Sequence, residues 1–553
     1  MSFRTTKTTT MKRILKISLW ILPFTLLSIA FTNFPNTKQE FEISKNLEIF
    51  ANVYKELNAD YVDELDPGKV MRDGVDAMLN NLDPFTNYIP ESDIERYRLL
   101  REGTFNGVGA EFKKIGDYVT FTELFEKQPA DKAGVKVGDQ IIAIDGKETK
   151  GKSSDEVDYF LRGAQGTSAE LTLSRPGQAN PIKVKITREE LEVPNVPYSG
   201  LVDGDIAYVS LSTFSQNAGK NVGDAIRDLR QQKPDLKGII LDLRGNGGGL
   251  LIEAVNLCNV FVPKGEIVVT TKGKLKENFH SYRTNNAPVD TELPLTILID
   301  KNSASASEIV SGVIQDYDRG VLLGQRSYGK GLVQNTTDVG YNSRLKLTTA
   351  KYYIPSGRCI QSVEYKNGEP VELPDSRRNA FKTRNGRMVL DGGGVSPDVK
   401  VPSPSNIPVI KVLQDQDLIF RFVTDFCKSK PTIPAVDQFK FTDFPAFLAF
   451  VQQENTVFRT ESEKLLEQFK TKATEEGYAL EGVKTLEDNL QKAQLDLINK
   501  NKDVITKLIE KEIAGRYYYA TGKTKMGLLR DSEVEEAIQM IKTPAKYRLA
   551  LGK

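Results

Sequence analysis

The chain has 553 residues, with 75 basic against 74 acidic side chains and 39% apolar residues. That is room for roughly three or four domains at about 100–200 residues each, and so even a charge balance provides no global field for nucleic acid, so no nucleic-acid partner is assigned. A single histidine, His280, in a polar stretch without a catalytic signature, and three scattered cysteines, Cys258, Cys359 and Cys427, exclude a histidine-based zinc site and argue against a disulfide framework.

Residues 1–16 carry Arg4, Lys7, Lys12, Arg13 and Lys16 and no acid, and an apolar run follows from Ile17 to Phe31. Basic first and apolar second is the layout of an export signal. The run is shorter than the roughly 20 residues a membrane span needs, and it ends in Ser28-Ile29-Ala30, which resembles a small-x-small cleavage site. Cleaved signal and retained membrane tether through 17–31 are both open, and either places the remaining chain outside the cytoplasm, in a periplasmic or other extracytoplasmic setting.

From 41 to 98 the chain reads as a helical cap, with Leu47, Phe50, Tyr54 and Leu57 at the three- and four-residue intervals of a buried helix face and a second helix from Val70 to Leu82. From 99 to 190, glycines punctuate short apolar runs. Tyr118–Phe121, Gln140–Ile144, Leu171–Leu173 and Ile182–Ile186 read as strands and Ser154–Leu161 as a helix, a small β-rich domain. From 191 to 402 the pattern is α/β. Ile239–Leu243 is an apolar strand of the kind found in a sheet buried on both faces, and Leu295–Ile299 and Val321–Leu323 repeat it. Beyond Pro402-Ser403-Pro404-Ser405, residues 403–553 read as a helical appendage with a stripe at Leu486, Leu490, Ala493 and Leu497. The fold class is therefore multidomain α/β, preceded by the signal or anchor segment 1–40.

Three segments carry chemistry. Ser303-Ala304-Ser305-Ala306-Ser307-Glu308 joins a strand to a helix, so that a serine hydroxyl stands near unpaired backbone N–H groups able to hold an oxyanion. Its plain structural reading is a capping box, Ser305 with Glu308. Tyr328-Gly329-Lys330-Gly331-Leu332-Val333-Gln334 offers a lysine that can act as a base if it is neutral, in a site free of carboxylates. Gln334, four residues on, falls on the same face of a strand and offers an amide oxygen to orient an uncharged amine. The plain reading is a solvated lysine in a glycine loop. Asp242-Leu243-Arg244-Gly245-Asn246-Gly247-Gly248-Gly249 runs an apolar strand into glycines that expose backbone N–H groups; the plain reading is a strand-to-helix turn.

In this order the three segments resemble the carboxyl-terminal processing peptidases, the serine–lysine branch of the tricorn-like peptidases. The resemblance spans about 41–402 and includes Leu82-Asp83-Pro84-Phe85-Thr86, Tyr353-x-Pro355-Ser356-Gly357-Arg358 and Gly394-Val395-x-Pro397-Asp398. It implies Ser305 as nucleophile, Lys330 as base and Gln334 as its orienting partner. It also implies an oxyanion hole made by the backbone N–H of Ala306 and of one glycine in 247–249, Gly248 being favoured. Gly107-Val108-Gly109-Ala110 and the segment Pro129 to Gly146 resemble the carboxylate-binding loop and centre of a PDZ domain, which implies protein or peptide partners with free C-termini. No cofactor is implied. The competing reading is a non-catalytic PDZ scaffold, and a weaker one makes the helical region 403–553 a docking element for an adaptor or a second copy.

Overall fold

The structure, a computed structural model, describes residues 37–94, 97, 103–361, 365–366, 369–371, 374–402, 407–454, 460–478 and 480–553; the basic and apolar segments at 1–31 lie outside these. It divides into two units, Met1–Asp83 and Pro84–Lys553. In the first, α1 (Thr37–Asp60) and α2 (Pro67–Leu79) are joined by the Tyr54 hydroxyl donating to the Pro67 carbonyl. Asp66 starts α2 by accepting the N–H groups of Gly68 and Lys69, and Pro67 gives up no hydrogen bond at this position. The predicted helices are there, but the predicted buried face is not: Leu47, Phe50 and Leu57 are exposed. Two helices are too little chain to enclose such a stripe.

The second unit opens with β1 (Asn87–Ile89), a strand inside the stretch predicted as helical cap. The β-rich domain follows: β2 (Thr104–Gly107), β3 (Ala110–Ile115), β4 (Tyr118–Leu124), β5 (Gln140–Ile144), α3 (Ser154–Leu161), β6 (Ser168–Ser174), β7 (Ile182–Thr187) and β8 (Glu189–Glu192). Its sheet runs β3-β4-β5-β6-β7, with β2 paired to β8, so β3 is an edge. Val119, Phe121, Ile141, Leu171 and Leu173 pack on Val157 and Leu161 of α3.

The α/β core comprises β9 (Tyr198–Val202), β10 (Ile206–Ser210), α4 (Ala218–Gln232), β11 (Gly238–Asp242), α5 (Leu251–Phe261), β12 (Ile267–Gly273), β13 (His280–Arg283), β14 (Leu295–Ile299), α6 (Ala306–Asp316), β15 (Val321–Gly324), β16 (Leu332–Gly340), β17 (Ser343–Tyr353) and β18 (Val399–Lys400). One sheet runs β9-β10-β11-β14-β15-β18, antiparallel at its first pair and parallel thereafter. The other joins β1, β17, β12 and β13, with β16 also on β17. Along the parallel strands side chains alternate between two faces. Ala207, Val209, Ile239, Leu241 and Ile297 pack on α4, α5 and α6.

The opposite face, Ile206, Tyr208, Ile240, Leu298 and Leu323, is covered by the far C-terminus. Val534, Ala537, Met540 and Ile541 of α9 (Ser532–Lys542) and Leu551 after α10 (Pro544–Ala550) lie on it; α7 (Leu418–Cys427) and α8 (Lys502–Leu528) come earlier in the chain. Burial of each large apolar side chain there contributes about 1.5–3 kcal/mol. The Tyr547 hydroxyl donates to the carbonyl of Leu295 and accepts its N–H. The C-terminal region is helical, as predicted, and its last two helices also cover the core sheet. α8 kinks at Tyr518 and Tyr519, where Tyr519 has φ 54°. There the Tyr519 hydroxyl donates to Asp131, while Lys523 pairs with Glu123 at 2.8 Å, tying the helices to the β-rich domain. In the helix Val483–Lys500 the buried residues are Gln494 and Ile498; Leu486 and Leu497 of the predicted stripe are exposed, because the inward face lies one residue further along.

Candidate active site

The three serines of the Ser303–Ser307 run are not equivalent. Ser303 and Ser307 are fully buried, and their hydroxyls donate to the carbonyls of Leu243 and Asn246, both at 2.8 Å. Ser305 is half-buried and stands at the N-cap of α6 with φ 55° and ψ −111°. The capping-box reading can be weighed inside this molecule. Ser153 and Thr460 each cap a helix with a glutamate three residues on, and both have extended backbones, φ −74° and −72°. Ser305 alone of the three is held at positive φ, a conformation that costs a non-glycine residue about 1–3 kcal/mol and persists only where the surroundings impose it. The Ser305 N–H donates to Glu308 at 2.8 Å, as the N–H groups of Ser153 and Thr460 do to their own glutamates, so the capping bond alone does not set this conformation.

Glu308 joins the two chemical segments. It is fully buried, and its carboxylate also accepts the N–H of Gly329 at 2.7 Å, the N–H of Lys330 at 2.8 Å and the Ser327 hydroxyl at 2.5 Å. The site is therefore not free of carboxylates, as the sequence reading requires for a neutral lysine; the one present has its oxygens filled by four donors. Sequence reasoning met Glu308 only as a cap. The loop that carries Lys330 is pinned throughout. Ser327 N–H bonds Val395, Tyr328 N–H bonds Ser303, and Gly331 N–H bonds the Gln361 side chain. The glycines beside Lys330 have separate causes: Gly329 has φ 96°, and a Cβ on Gly331 would lie 2.6 Å from the Gln361 backbone. Lys330 Nζ sits 4.3 Å from the centre of the Phe85 ring, which packs edge-on against Tyr328.

Burial raises the Glu308 carboxyl above its ordinary value of 4.5, and its four donors only partly offset this. A carboxyl raised on folding favours the folded state below the unfolded value and loses that contribution as pH rises through the folded one. Its protonation on acidification therefore does not unfold the protein, yet it replaces an acceptor with a donor between Ser305 and Lys330. The expected result is an acid fall in peptide hydrolysis, centred above 4.5, with the circular dichroism unchanged. Glu308→Gln should remove that dependence and lower the rate on the order of 10–100-fold, the effect of leaving one buried donor unpaired.

The glycine loop lies against Ser305. A Cβ on Gly248 would fall 2.8 Å from the Ser305 Cβ and 3.0 Å from the Ala306 nitrogen, so no side chain fits there. Asn246 shapes the loop: its Nδ2 donates to the Leu211 carbonyl and its Oδ1 accepts the Gly248 N–H at 2.9 Å. The donor favoured from sequence is thus engaged within its own loop. Its neighbour Gly249 is held at φ 146°, with a Cβ position 2.5 Å from the Phe214 carbonyl. The N–H of Ala306, the first residue of α6, has no carbonyl a turn earlier within the helix to bond.

Gln334 lies on β16, but the alternation argument does not place it. Lys330 precedes the strand, so the two residues do not share its alternation. What holds Gln334 is a chain of contacts: its Nε2 donates to Thr348 Oγ1 at 3.2 Å, and the Thr348 N–H donates to Thr86 Oγ1 at 3.2 Å. Phe85 and Thr86 thus stand beside Lys330 and Gln334, a role their sequence does not announce. His280 is exposed on β13. Among the described residues no group of three histidine, cysteine, aspartate or glutamate side chains could hold a metal ion.

The loop Gly107-Val108-Gly109-Ala110 ends β2 and begins β3. The Val108 carbonyl accepts the Ala130 N–H and the Gly109 carbonyl accepts the Phe125 N–H. In a planar trans peptide the N–H points opposite its carbonyl. The N–H groups of Gly109 and Ala110 therefore both face away from the 125–130 turn. Gly109 has φ 74°, and a Cβ there would meet Gln128 at 2.4 Å. Further along β3, the Lys114 N–H donates to Ser154 Oγ of α3 at 3.0 Å, so this N–H of the edge is already taken.

A model of peptidase family S41 matches residues 205–368, a PDZ-domain model matches 122–175, and one described as the C-terminal helical domain of a probable PDZ-protease matches 409–541. A carboxy-terminal-processing protease of Bartonella bacilliformis is 36% identical over 340 residues, 61% of this chain and 78% of that protein. A probable CtpA-like serine protease of Staphylococcus aureus is 35% identical over 332 residues, and the chain spans 65% of its length. Among solved structures, the photosystem II D1 C-terminal processing protease is 26% identical with a TM-score of 0.35, over 65% of this chain and 93% of that one.

Proposed function

The chain belongs to peptidase family S41 and is a serine peptidase of the carboxy-terminal-processing kind, and from that premise we propose that it is an exported endopeptidase working through Ser305 and Lys330 on proteins captured by their C-termini. The observation that carries the assignment is the inequality of the three serines. Two hydroxyls are committed to buried carbonyls, and the third residue stands at positive φ with its N–H on the carboxylate that also binds the Lys330 N–H. Lys330 removes the proton as Ser305 Oγ attacks a peptide carbonyl, then protonates the leaving amine; water attacks the acyl-enzyme and releases the new carboxyl end. The Ala306 N–H takes one place at the oxyanion. With the Gly248 N–H given to Asn246, the second donor falls to Gly247 or Gly249, and Gly248 supplies clearance. Gln334, its amide nitrogen turned to Thr348, offers its oxygen to the amine. Export is supported by the order of basic and apolar residues at 1–31.

The β-rich domain supplies the capture. A peptide adds as a strand to the β3 edge, and the N–H groups of Gly109 and Ala110 hold its terminal carboxylate. Amidating the C-terminus of a substrate peptide removes the charge these groups hold. Affinity by calorimetry is expected to fall at least about tenfold, in line with charge-assisted hydrogen bonds contributing about 1.5–3 kcal/mol. Equal binding of free and amidated peptides would overturn the capture model while leaving the peptidase assignment standing. Labelling of the folded protein by a fluorophosphonate probe separates peptidase from scaffold: a scaffold takes no label.

A further inference from the structure

We propose that Tyr352 is a positioning residue whose hydroxyl sets the separation of nucleophile and base by holding the backbones of Ser305 and Lys330 at once. The inference rests on those two residues being the reacting pair. Tyr352 lies on β17 and is 1% exposed, its ring packed into the main core. Its hydroxyl lies 2.5 Å from the Lys330 carbonyl oxygen and 3.1 Å from the Ser305 carbonyl oxygen, and donates between them. The Ser305 carbonyl already accepts the N–H groups of Glu308 and Ile309, both at 2.9 Å, so the shorter bond to Lys330 is the principal one. The Tyr352 main chain adds a third tie, its N–H donating to the Gly331 carbonyl at 3.0 Å.

Glu308 binds Ser305 and Lys330 by their N–H groups, one edge of each residue. Fixed on one edge alone, the base loop could still swing about that edge. The Tyr352 hydroxyl binds the carbonyl edges of the same two residues, so the pair closes from both sides. A carboxylate suits the N–H edges, being acceptor only, and a phenol suits the carbonyl edges, being able to donate. Each acts through the backbone from which Oγ and Nζ extend.

Tyr352→Phe removes one oxygen and keeps the ring that the core packs. A small displacement of a reacting group costs up to about 10²-fold in rate. The expected result is a fall of roughly 10–100-fold in kcat and in acylation by a fluorophosphonate probe, with KM and C-terminal peptide affinity within about twofold of wild type. Hydrogen exchange should quicken at 327–331. Tyr547→Phe, which removes another buried hydroxyl from the backbone of Leu295, controls for destabilisation and should keep its acylation rate. Wild-type kcat in folded Tyr352→Phe overturns the proposal, as does an equal loss in Tyr547→Phe. Should Tyr352→Phe fold poorly at assay temperature, unchanged exchange at 327–331 in its folded fraction overturns it equally. Lys330→Ala with wild-type acylation overturns instead the assignment of the pair, so the two failures are distinguishable.

Discussion

Ser305→Ala is expected to lose activity on the order of 10⁴-fold or more while melting close to wild type, whereas Ser303→Ala and Ser307→Ala should lose stability before activity. The loss of a nucleophile removes the covalent route entirely and leaves only what binding and the oxyanion donors supply. The stability contrast follows from where each hydroxyl goes. Ser303 Oγ donates to Leu243 and accepts the Asp300 N–H, and Ser307 Oγ donates to Asn246. Either deletion removes one hydrogen bond from a buried carbonyl that keeps a backbone donor, at about 0.5–1.5 kcal/mol, and Ser303→Ala also takes the hydroxyl that accepts the Asp300 N–H. Mass spectrometry of the fluorophosphonate adduct checks the assignment directly, since the label should sit on Ser305. A label on Ser303 or Ser307, or full activity in Ser305→Ala, would move the nucleophile.

What the sequence made legible was local. The strand into Ser303–Ser307, the glycines around Lys330 and the glycine loop after Asp242 are each contiguous, and their order along the chain carried the resemblance. Glu308 was visible too, but only as half of a capping box, because a sequence shows the neighbour three residues away and not the Lys330 N–H 22 residues on. Tyr352, Phe85 and Thr86 act at greater separations still, and nothing in their local pattern distinguishes them from core residues. Gln334 was reached by counting two-residue steps from Lys330, which lies before β16 begins. The apolar stripe in α1 was read as buried because periodicity reports an amphipathic face and not what covers it.

The C-terminal region is helical, as its sequence suggests, and its last helices also join the core for a physical reason. Composition rich in lysine and glutamate marked 403–553 as separate, yet β10, β11 and β14 are apolar on both faces and α4, α5 and α6 cover only one. A sheet buried on both faces requires a second layer, and α9 and α10 supply it. The start of α9 also reaches the glycine loop. Arg244, beside the glycines, pairs with Asp242 at 2.6 Å, with Asp531 at 2.9 Å and with Glu533. Burial works to raise the Asp242 carboxyl, but the Arg244 guanidinium and the Tyr208 hydroxyl outweigh it and hold it below its ordinary value. A charge cluster so buried is stabilising only while complete. Separation of α9 from the sheet would leave Arg244 short of two partners next to the loop that faces Ser305.

Lys330→Ala and Lys330→Arg are both expected to lose on the order of 10³-fold or more in acylation, and the pair of variants tests the mechanism where either alone would not. A general base contributes roughly 10²–10⁴-fold. Alanine removes the base. Arginine keeps length and charge but holds its proton at any workable pH, so it cannot accept one from Ser305. If Lys330 served only as a cation, placed over Phe85 or near the oxyanion, arginine would restore much of the rate. The wild-type acylation rate should rise with pH through an ionisation that is missing from Lys330→Ala, and both variants should bind C-terminal peptides as wild type does. Identical pH profiles in wild type and Lys330→Ala would show that another group takes the proton. Substantial activity in Lys330→Arg with none in Lys330→Ala would make the lysine an electrostatic residue, and would leave Glu308, the one buried carboxylate between the two loops, as the group to test next as proton acceptor.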